Sequence, residues 1–474
     1  MEMQTIKSEK FLVSHTGDPF ADVGDYVIQY FQKKEKWKDR PIIELIEYMA
    51  GIYVNQWGAG INALFLNSTV TQASFKGEQK IAETVRYFRS LLDGTAPFEM
   101  GYCRISGHYT QLYKGGRDNY MMSGSGAFLN FHHTFDEGLR LSKEVLIRLF
   151  FVPFGVRQIG GMIGVITSNL ELITERYVAE NCAENERSIG AMISEGVLKH
   201  DITIPSNALF DFARNWIANL QDLCKYDEND FLMPKEQTTI NLFHFTNFAA
   251  APDIQLVSLP ASVFEFYTFC QGRKVKKAWS QFIGAHYTNS KYAKAKFDNE
   301  TQSWKTEKDS LEYEDYKNWR NRVLDNLLQD KPITRLFAFW AKNHRLPFSI
   351  ITKYLTTVRN MDKRTVDKIL YLAEYVVGHD PDFISKTIKY LDSCRNAHSL
   401  RRVIAKWNGD AVKAGNEPLV RVQEYVNYLF ADGSSWSEIR DVLIIAIYEK
   451  SYDKGKTIDA ELNENEILNH EIEN

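Results

Sequence analysis

Helix-start and helix-stop residues after Lys331 constrain the fold of this chain more than any other feature of its sequence. Asp380-Pro381 is typical of a helix N-cap followed by a first-turn proline. Ser435 and Glu438 have the spacing of a capping box ahead of the apolar run 442–447. Short connections favour a compact bundle. The predicted helices lie near 333–342, 347–358, 363–377, 383–394, 398–407, 418–430 and 436–449, and Gly378, Gly409 and Gly433 stand where helices should end.

The residues before Lys331 show a mixed pattern. Helical spacing of apolar residues predicts helices, whereas Gly-, Ser- and aromatic-rich stretches predict strands joined by loops. We therefore predict an α+β fold with three parts: an irregular mixed α/β N-terminal body at 1–330, an all-α helical bundle at 331–458, and an acidic flexible tail at 459–474. The predicted helices of the body are 40–57, 79–92, 137–151, 170–198 and 206–226, and the predicted strand regions are 98–131 and 238–257.

Cysteine usage and hydropathy bear on the compartment. The five cysteines are far apart and odd in number, which argues for reduced thiols in the cytoplasm. The first ten residues have no apolar core, so we do not expect a signal peptide. The most apolar stretch, 149–166, has Arg157 and several glycines near its centre, which predicts a buried strand or loop region. We predict a cytoplasmic protein without a membrane partner.

Charge is unevenly placed along the chain, although the formal net charge is only −4. Between residues 273 and 297 there are seven basic residues and no acid, with aromatic residues interleaved. Lysines suit phosphates and aromatic rings stack on bases. A solvated lysine face over core aromatics explains the pattern equally well. The basic residues are Arg273, Lys274, Lys276, Lys277, Lys291, Lys294 and Lys296, and the aromatic ones are Trp279, Phe282, Tyr287, Tyr292 and Phe297.

The helical bundle is a second basic region. Residues 331–458 contain 21 Lys and Arg residues against 14 acids. Four of these bases fall on neighbouring helical turns and predict contacts with a nucleic-acid backbone. A solvated helix face is the alternative for any single residue. The four are Arg395, Arg401, Arg402 and Lys406.

A short Gly-rich segment, which we call the motif loop (114–130), has the chemistry needed to read a base sequence. Gly115 and Gly116 permit close approach to a DNA groove because glycine has no side chain, although a plain hairpin turn is the alternative. Amide side chains can pair with base edges, but Asn130 can instead hold a turn through its own backbone. The predicted motif-reading residues are Lys114, Arg117, Asn119 and Asn130.

Catalytic and metal-binding patterns are weak. Cys103 could act as a nucleophile, but a buried structural thiol is far more common. Gly124-Ser125-Gly126 lacks the spacing of a nucleophile elbow and is not followed by the Gly-Lys-Ser/Thr of a P-loop. We predict no catalytic residue, no metal and no cofactor. The one dense group of possible metal ligands is His132, His133, Asp136 and Glu137, and adjacent histidines usually point apart.

Several short motifs occur in an order that resembles a known family. They are TGDPFADVG at 16–24, GYCRISG at 101–107, the glycine and Asn-Phe stretch at 124–131, VPFG at 152–155 with Gly-Gly at 160–161, and Met-Asp-Lys at 361–363. In this order they resemble the large subunit of type I-B, and related type I-A, CRISPR interference complexes, called Cascade. Ser106 stands where many members have a second cysteine, which argues against zinc here.

The resemblance implies a non-catalytic, RNA-guided role. The family's large subunit recognises a protospacer-adjacent motif in double-stranded DNA, helps R-loop formation, and recruits a separate helicase-nuclease or transposition machinery. The implied partners are guide (CRISPR) RNA, target DNA and the other Cascade subunits: backbone, RNA-end-binding and small subunits. Base pairing with the guide reads the target while protein reads the short motif.

Two other functions remain open from the sequence. The chain could be a stand-alone small-substrate enzyme with the Gly-rich middle as its pocket, or a scaffold subunit without direct DNA contact. A Cascade subunit is expected to co-purify with guide RNA and several proteins, whereas an enzyme should be active alone.

Overall fold

The computed structural model describes residues 15–62, 64–65, 68–116, 118–121, 129–130, 136–246, 253–431, 435–460 and 462. Helices and strands are mixed up to residue 330 and helices dominate after it, which confirms the α+β fold class. The helices are α1 (Pro19–Gln32), α2 (Ile42–Ile52), α3 (Glu78–Leu92), α4 (Lys143–Phe151), α5 (Glu171–Gly190), α6 (Pro205–Asn219), α7 (Ala261–Cys270), α8 (Lys276–Gly284), α9 (Tyr313–Tyr316), α10 (Arg322–Leu328), α11 (Thr334–Asn343), α12 (Phe348–Lys353), α13 (Lys363–Val377), α14 (Pro381–Asp392), α15 (Ala397–Lys413), α16 (Val422–Glu424) and α17 (Trp436–Asp453).

The strands are short. They are β1 (Glu99–Tyr102), β2 (Tyr109–Gly115), β3 (Leu129–Asn130), β4 (Asp136–Glu137), β5 (Leu139–Ser142), β6 (Arg157–Ile159), β7 (Met162–Ser168), β8 (Leu198–Lys199), β9 (Cys224–Tyr226), β10 (Leu232–Pro234), β11 (Ile240–Thr246), β12 (Asp253–Leu259), β13 (Tyr287–Thr288), β14 (Lys296–Asp298), β15 (Ser303–Lys305), β16 (Ser310–Leu311) and β17 (Arg320–Asn321). Three helices continue into a five-residue π-helical turn: α2 through Tyr53–Trp57, α12 through Tyr354–Val358 and α16 through Tyr425–Leu429.

The chain divides into two compact units. The first contains the residues up to Leu209 together with Thr239–Leu259, and the second contains Phe210–Thr238 and everything from Pro260 onward. The boundary expected at residues 330 and 331 therefore lies inside the second unit.

A five-stranded sheet is the centre of the first unit. Its order is β12-β11-β7-β6-β8, with every neighbouring pair antiparallel except β6 and β8. Gly160 and Gly161 form the two-residue turn between β6 and β7, where φ angles of +58° and +88° favour glycine. The side chains of Ile163, Val165 and Ile166 on β7 are fully buried. The apolar stretch 149–166 is thus the buried region that the sequence predicts.

The start of α1 explains most of the 16–24 motif. Asp18 caps the helix, since its carboxylate accepts from the N–H groups of Phe20 and Ala21 at 3.0 and 2.7 Å. A Cβ atom at Gly24 would lie 1.9 Å from the carbonyl oxygen of Arg148, so only glycine lets α1 pack this closely on α4. The residues of this motif therefore have local structural roles.

The second unit is built around α17. Its residues from Val442 to Tyr448 are all buried, because α11, α13, α14 and α15 pack on it from several sides. Asp362 caps α13 by accepting from the N–H of Arg364 at 2.8 Å, and Asp380 caps α14 by accepting from that of Phe383 at 2.9 Å. Both predicted helix starts are confirmed.

Several predicted boundaries are wrong because long-range contacts override local spacing. The predicted helix 137–151 begins with the end of β4 and with β5, whose residues pair with β2, and only 143–151 is helical. The predicted helix 170–198 ends at Gly190. The end of the predicted helix 206–226 is strand β9, paired with β10.

Two boundaries in the bundle also differ from the prediction. Helix α15 continues through Gly409 to Lys413, because Trp407 and Ala411 are buried on its inner face. The predicted helix 418–430 is confined to α16 and its π-helical turn. Gly433 lies outside the described residues.

Among the residues that are described, no helix combines the length and the apolar character needed to cross a bilayer.

Candidate nucleic-acid interface

Residues 383–409, which cover most of α14 and α15 and the connection between them, present exposed charge of a single sign, whereas Asp382 and Asp410 just outside this stretch are exposed acids. Residues 383–409 contain six Lys and Arg residues and one acid, Asp392. Asp392 is buried and its carboxylate lies 2.7 Å from the Arg335 guanidinium. Every exposed charged side chain in this segment is therefore basic, which suits a polyphosphate backbone. The exposed bases are Lys386, Lys389, Arg395, Arg401, Arg402 and Lys406.

The amphipathic pattern of α15 fixes which of its side chains reach solvent. Leu400, Ile404 and Trp407 are buried on its inner face. Arg402 and Lys406 lie four residues apart on the opposite, exposed side. Two cations on successive turns of one helix can contact neighbouring phosphates of a strand.

A buried ionic network holds these helices in place. The Arg335 guanidinium on α11 contacts Asp392 at 2.7 Å and Asp441 at 3.5 Å. The Arg440 guanidinium contacts Asp441 at 2.9 Å and donates to the carbonyl oxygen of Cys394 at 3.1 Å. Asp392 is the last residue of α14, and Cys394 lies in the connection to α15. The network therefore positions α14 and α15 on α11 and α17.

Sequence reasoning found Arg395, Arg401, Arg402 and Lys406 but missed their neighbours on α14. Lys386, Lys389 and Tyr390 are exposed, and 68% of the Tyr390 surface is accessible. An exposed aromatic ring among lysines offers a face on which a base can stack. The absence of acids other than Asp392 between 383 and 409 was the sequence signal for this surface.

Arg401 also has an intramolecular role. Its guanidinium lies 5.1 Å from the ring centre of Phe430 and 5.8 Å from that of Tyr425. These cation–π contacts attach α15 to the π-helical turn after α16. Replacing Arg401 would consequently change packing as well as charge.

In segment 273–297 the structure separates the lysines from the aromatic residues. Trp279, Phe282 and Tyr287 are at most 5% exposed, so they belong to the core and cannot stack on bases. Tyr292 is 38% exposed and stacks on Trp319 with ring centres 4.8 Å apart. The exposed residues Lys276, Lys277, Lys291, Lys294 and Lys296 remain available to phosphates.

The first two bases of that segment are engaged within the chain. The Arg273 guanidinium forms a two-contact ion pair with Asp230, with Nε 2.9 Å from Oδ2. The Lys274 ammonium donates to the carbonyl oxygen of Asn229 at 2.6 Å. Both contacts fix the turn before β10, which gives these two residues a structural role in addition to any external one.

Asn119 holds the described part of the motif loop together. Its Oδ1 atom accepts from the N–H of Gly116 at 2.8 Å, and its Nδ2 atom donates to the Tyr87 hydroxyl at 2.6 Å and to the Lys114 carbonyl at 3.1 Å. A base contact through this amide would require these bonds to break. Lys114 itself is exposed on β2.

Other residues predicted for the motif loop lie outside the described residues. This holds for Arg117, for 124–126, and for the side chain of Asn130, whose backbone belongs to β3. The same holds for His132 and His133 and for the side chains of Asp136 and Glu137. Within the part of the chain that is described, no three His, Cys, Asp or Glu side chains cluster as metal ligands would.

A cavity of about 320 Å³ lies beside the motif loop. Its walls combine buried aromatic rings with a few polar groups, and Lys114 and Asp118 are exposed among the lining residues. The remaining lining residues are Phe65, Ser68, Thr69, Tyr87, Phe88, Asn119, Leu146 and Phe150. Burial raises the pKa of the Tyr87 hydroxyl to about 12, and Asn119 lowers it in part.

Cys103 is a buried structural thiol, 2% exposed. Its Sγ atom accepts from the N–H of Ser142 at 3.3 Å. Burial raises the pKa of this thiol, but hydrogen bonds from Ser106 and from the Ser142 backbone outweigh it, so the pKa lies below its ordinary value. The turn 103–107, where the resemblance would place two cysteines, closes around this one sulfur.

Part of the chain is similar to a known protein family. Residues 349–473 match the family described as the DevT C-terminal domain. The matched segment begins in α12 and includes α13 to α17. It therefore contains α14 and α15, which carry the exposed basic residues. No curated protein matches the chain.

Proposed function

We propose that this chain is the non-catalytic large subunit of a type I-B CRISPR RNA-guided complex (Cascade). In this role it recognises the protospacer-adjacent motif in double-stranded DNA, helps R-loop formation, and recruits a separate helicase-nuclease or transposition machinery. Its partners would be guide RNA, target DNA and the other Cascade subunits, in the cytoplasm. The ordered motifs between residues 16 and 363 support this identification by resemblance.

The observation that carries the proposal is the basic exposed surface of residues 383–409, in α14, α15 and their connection. Six exposed cations within 27 residues, between the exposed acids Asp382 and Asp410, form a net positive surface that attracts phosphates. Neutralised phosphates release counterions, so such binding weakens steeply as salt rises. Exposed lysines of segment 273–297 supply further cations on the same unit.

Salt-dependent DNA binding tests this surface. We would replace Lys389, Arg402 and Lys406 together by Gln and measure duplex affinity by fluorescence anisotropy over a range of salt concentrations. Each lost phosphate contact should lower the slope of log K against log salt by up to about 0.9. A control with Lys76→Gln, Lys199→Gln and Lys225→Gln removes the same charge from exposed positions elsewhere. Equal slopes for the two triple variants would count against the surface.

Co-purification tests the assembly. Purified from its own cells under gentle conditions, the chain should bring down a short RNA of uniform length and several proteins. Recovery of the chain alone, with a measurable activity on a small substrate, would instead identify an enzyme. Recovery with RNA and proteins but without crosslinking to target DNA would identify a scaffold.

A further inference from the structure

A second cavity, which we call the α17 cavity, lies in the second unit beside the C-terminal ends of α11 and α17. It has a volume of about 380 Å³. Its lining combines apolar surface with polar groups, which include two lysines and three hydroxyl-bearing residues besides Tyr448. The lining residues are Lys342, Tyr448, Ser451, Tyr452, Gly455, Lys456, Thr457 and Ile458. None of them belongs to the basic surface of α14 and α15.

Ser451 is the first indication that this cavity holds a ligand. Its side chain is 1% exposed, and its Oγ atom has no hydrogen-bond partner among the described residues. Buried hydroxyls are nearly always hydrogen-bonded, because an unmade bond is costly there. A buried helical serine can satisfy its hydroxyl by bonding to the carbonyl four residues earlier, but Ser451 does not. The hydroxyl is therefore a donor available at the cavity wall.

The charges at the cavity are the second indication. Two neighbouring lysines, Lys450 and Lys454, share the carboxylate of Glu374. Within the described residues no carboxylate lies within ion-pair distance of Lys342 or of Lys456. The Lys456 ammonium donates to the carbonyl oxygens of Val377 and His379, which are neutral groups. The cavity thus has two cations whose charge is not neutralised.

Helix dipoles oppose an anion here but do not prevent it. Each helix C-terminus carries roughly half a negative charge, so α11 and α17 together contribute about one. Lys342 and Lys456 contribute two full positive charges. The charge of the two lysines therefore exceeds the partial negative charge of these two helix ends.

We propose that the α17 cavity binds a tetrahedral phosphate group, as inorganic phosphate or as the terminal phosphate of a nucleotide or nucleic acid. The Lys342 ammonium would supply the main charge, and the hydroxyls of Ser451 and Thr457 would donate to phosphate oxygens. The Tyr452 hydroxyl donates to the carbonyl oxygen of Lys342 at 2.5 Å and fixes the backbone beside the site. This inference does not rest on the proposed function, because a phosphate site would exist in any of the alternatives.

Calorimetric titration of the full chain with inorganic phosphate, in a phosphate-free buffer at neutral pH, tests the site. Saturable binding is expected. Lys342→Gln should weaken it by about tenfold or more, since a charged hydrogen bond is lost. Ser451→Ala should weaken it by roughly two- to tenfold. Lys363→Gln, at an exposed lysine that does not line the cavity, is the matched control and should bind as the parent does.

Thermal unfolding separates binding from folding. Without phosphate, Ser451→Ala should unfold at the parental temperature or above it, because it removes an unpaired buried hydroxyl. Phosphate should raise the unfolding temperature of the parent more than that of Lys342→Gln or Ser451→Ala. A parent that shows no saturable binding at millimolar phosphate, or variants that bind like the parent, would overturn the proposal.

Oligonucleotides distinguish the source of the phosphate. A 5′-phosphorylated strand should compete with inorganic phosphate for the cavity if a nucleic-acid end is the ligand, and the same strand without its 5′-phosphate should not compete. Failure of both strands to compete, while inorganic phosphate still binds, identifies a free anion as the ligand. Equal competition by both strands would contradict a terminal-phosphate site.

Discussion

The Asn119 amide illustrates how the neighbours of a side chain decide its role. Its chemistry suits base recognition, yet its oxygen and nitrogen bond to Gly116, Tyr87 and Lys114. Replacing it by alanine would therefore loosen the turn and affect every DNA sequence alike. Among the described residues predicted to read the motif, Lys114 has an exposed side chain on β2.

Met192 occupies a position where glycine is normally found. It follows α5 with a φ of +58°, and the N–H groups of Met192 and Ile193 bond to the carbonyl oxygens of Ile189 and Ser188, both at 3.0 Å. Met192→Gly should raise the free energy of unfolding by about 0.5–1 kcal/mol, because the left-handed conformation is strained for any other residue. The 93% exposed Met192 side chain loses little packing on removal.

Urea unfolding followed by circular dichroism measures this effect. Ile193→Gly is the control, since Ile193 is 71% exposed in the same turn but is not among the positive-φ residues. It should leave stability unchanged or lower it. A loss of stability in Met192→Gly equal to that of the control would show that no strain is relieved.

At the scale of elements, α14 and α15 depend on ions that the sequence pattern does not reveal. Capping residues and apolar spacing predict both helices. Their placement comes from the contacts of Arg335 with Asp392 and Asp441, and from the hydrogen bond of Arg440 to Cys394. The basic surface therefore relies on a buried network behind it.

Asp441→Ala should disrupt that placement. The substitution removes the carboxylate that contacts the guanidinium of Arg440, a residue that is only 3% exposed. Removing one partner of a buried ion pair typically lowers the free energy of unfolding by about 3–5 kcal/mol. Thermal unfolding should show a large fall in the transition temperature. Asp410→Ala, on the exposed side of α15, should change stability by less than about 0.5 kcal/mol. Similar shifts for the two variants would mean that the network contributes little.

At the scale of the whole molecule, the helical bundle shares its core with the residues before it. The rings of Phe337 and Tyr354 are fully buried, and they pack on Phe282 and Phe266 with ring centres 4.8 and 5.5 Å apart. The Lys353 ammonium pairs with the Glu265 carboxylate. The second unit therefore extends across the boundary that helical punctuation suggests at 331.

Fragments test where the folding unit begins. A fragment of 331–458 would expose the faces of Phe337 and Tyr354 that contact Phe282 and Phe266, so it should bind an apolar dye and unfold with little cooperativity. A fragment of 260–458 retains these contacts and should unfold cooperatively at a higher temperature. Equally cooperative transitions in the two fragments would place an independent domain boundary at 331.

The local features of this protein are encoded in short stretches of its sequence. Helix α13 has the predicted bounds, 363–377, because its cap at Asp362 and its apolar spacing are encoded within a few residues. The excess of bases in 383–409 is likewise a property of composition. Such features depend on neighbours along the chain, which a sequence lists directly.

Which residues face solvent, and which residues pair with each other, depends on contacts formed in the folded chain. Strand β5 replaces part of a predicted helix because it pairs with β2, some 25 residues earlier. The aromatic residues Trp279 and Phe282 enter the core, while Tyr390 remains exposed beside lysines. Because Asp392 is buried against Arg335, the exposed charge between residues 383 and 409 is entirely positive. Each outcome depends on contacts between distant segments, and these carry no local signal because the free energy that selects them arises from packing and desolvation in the folded chain.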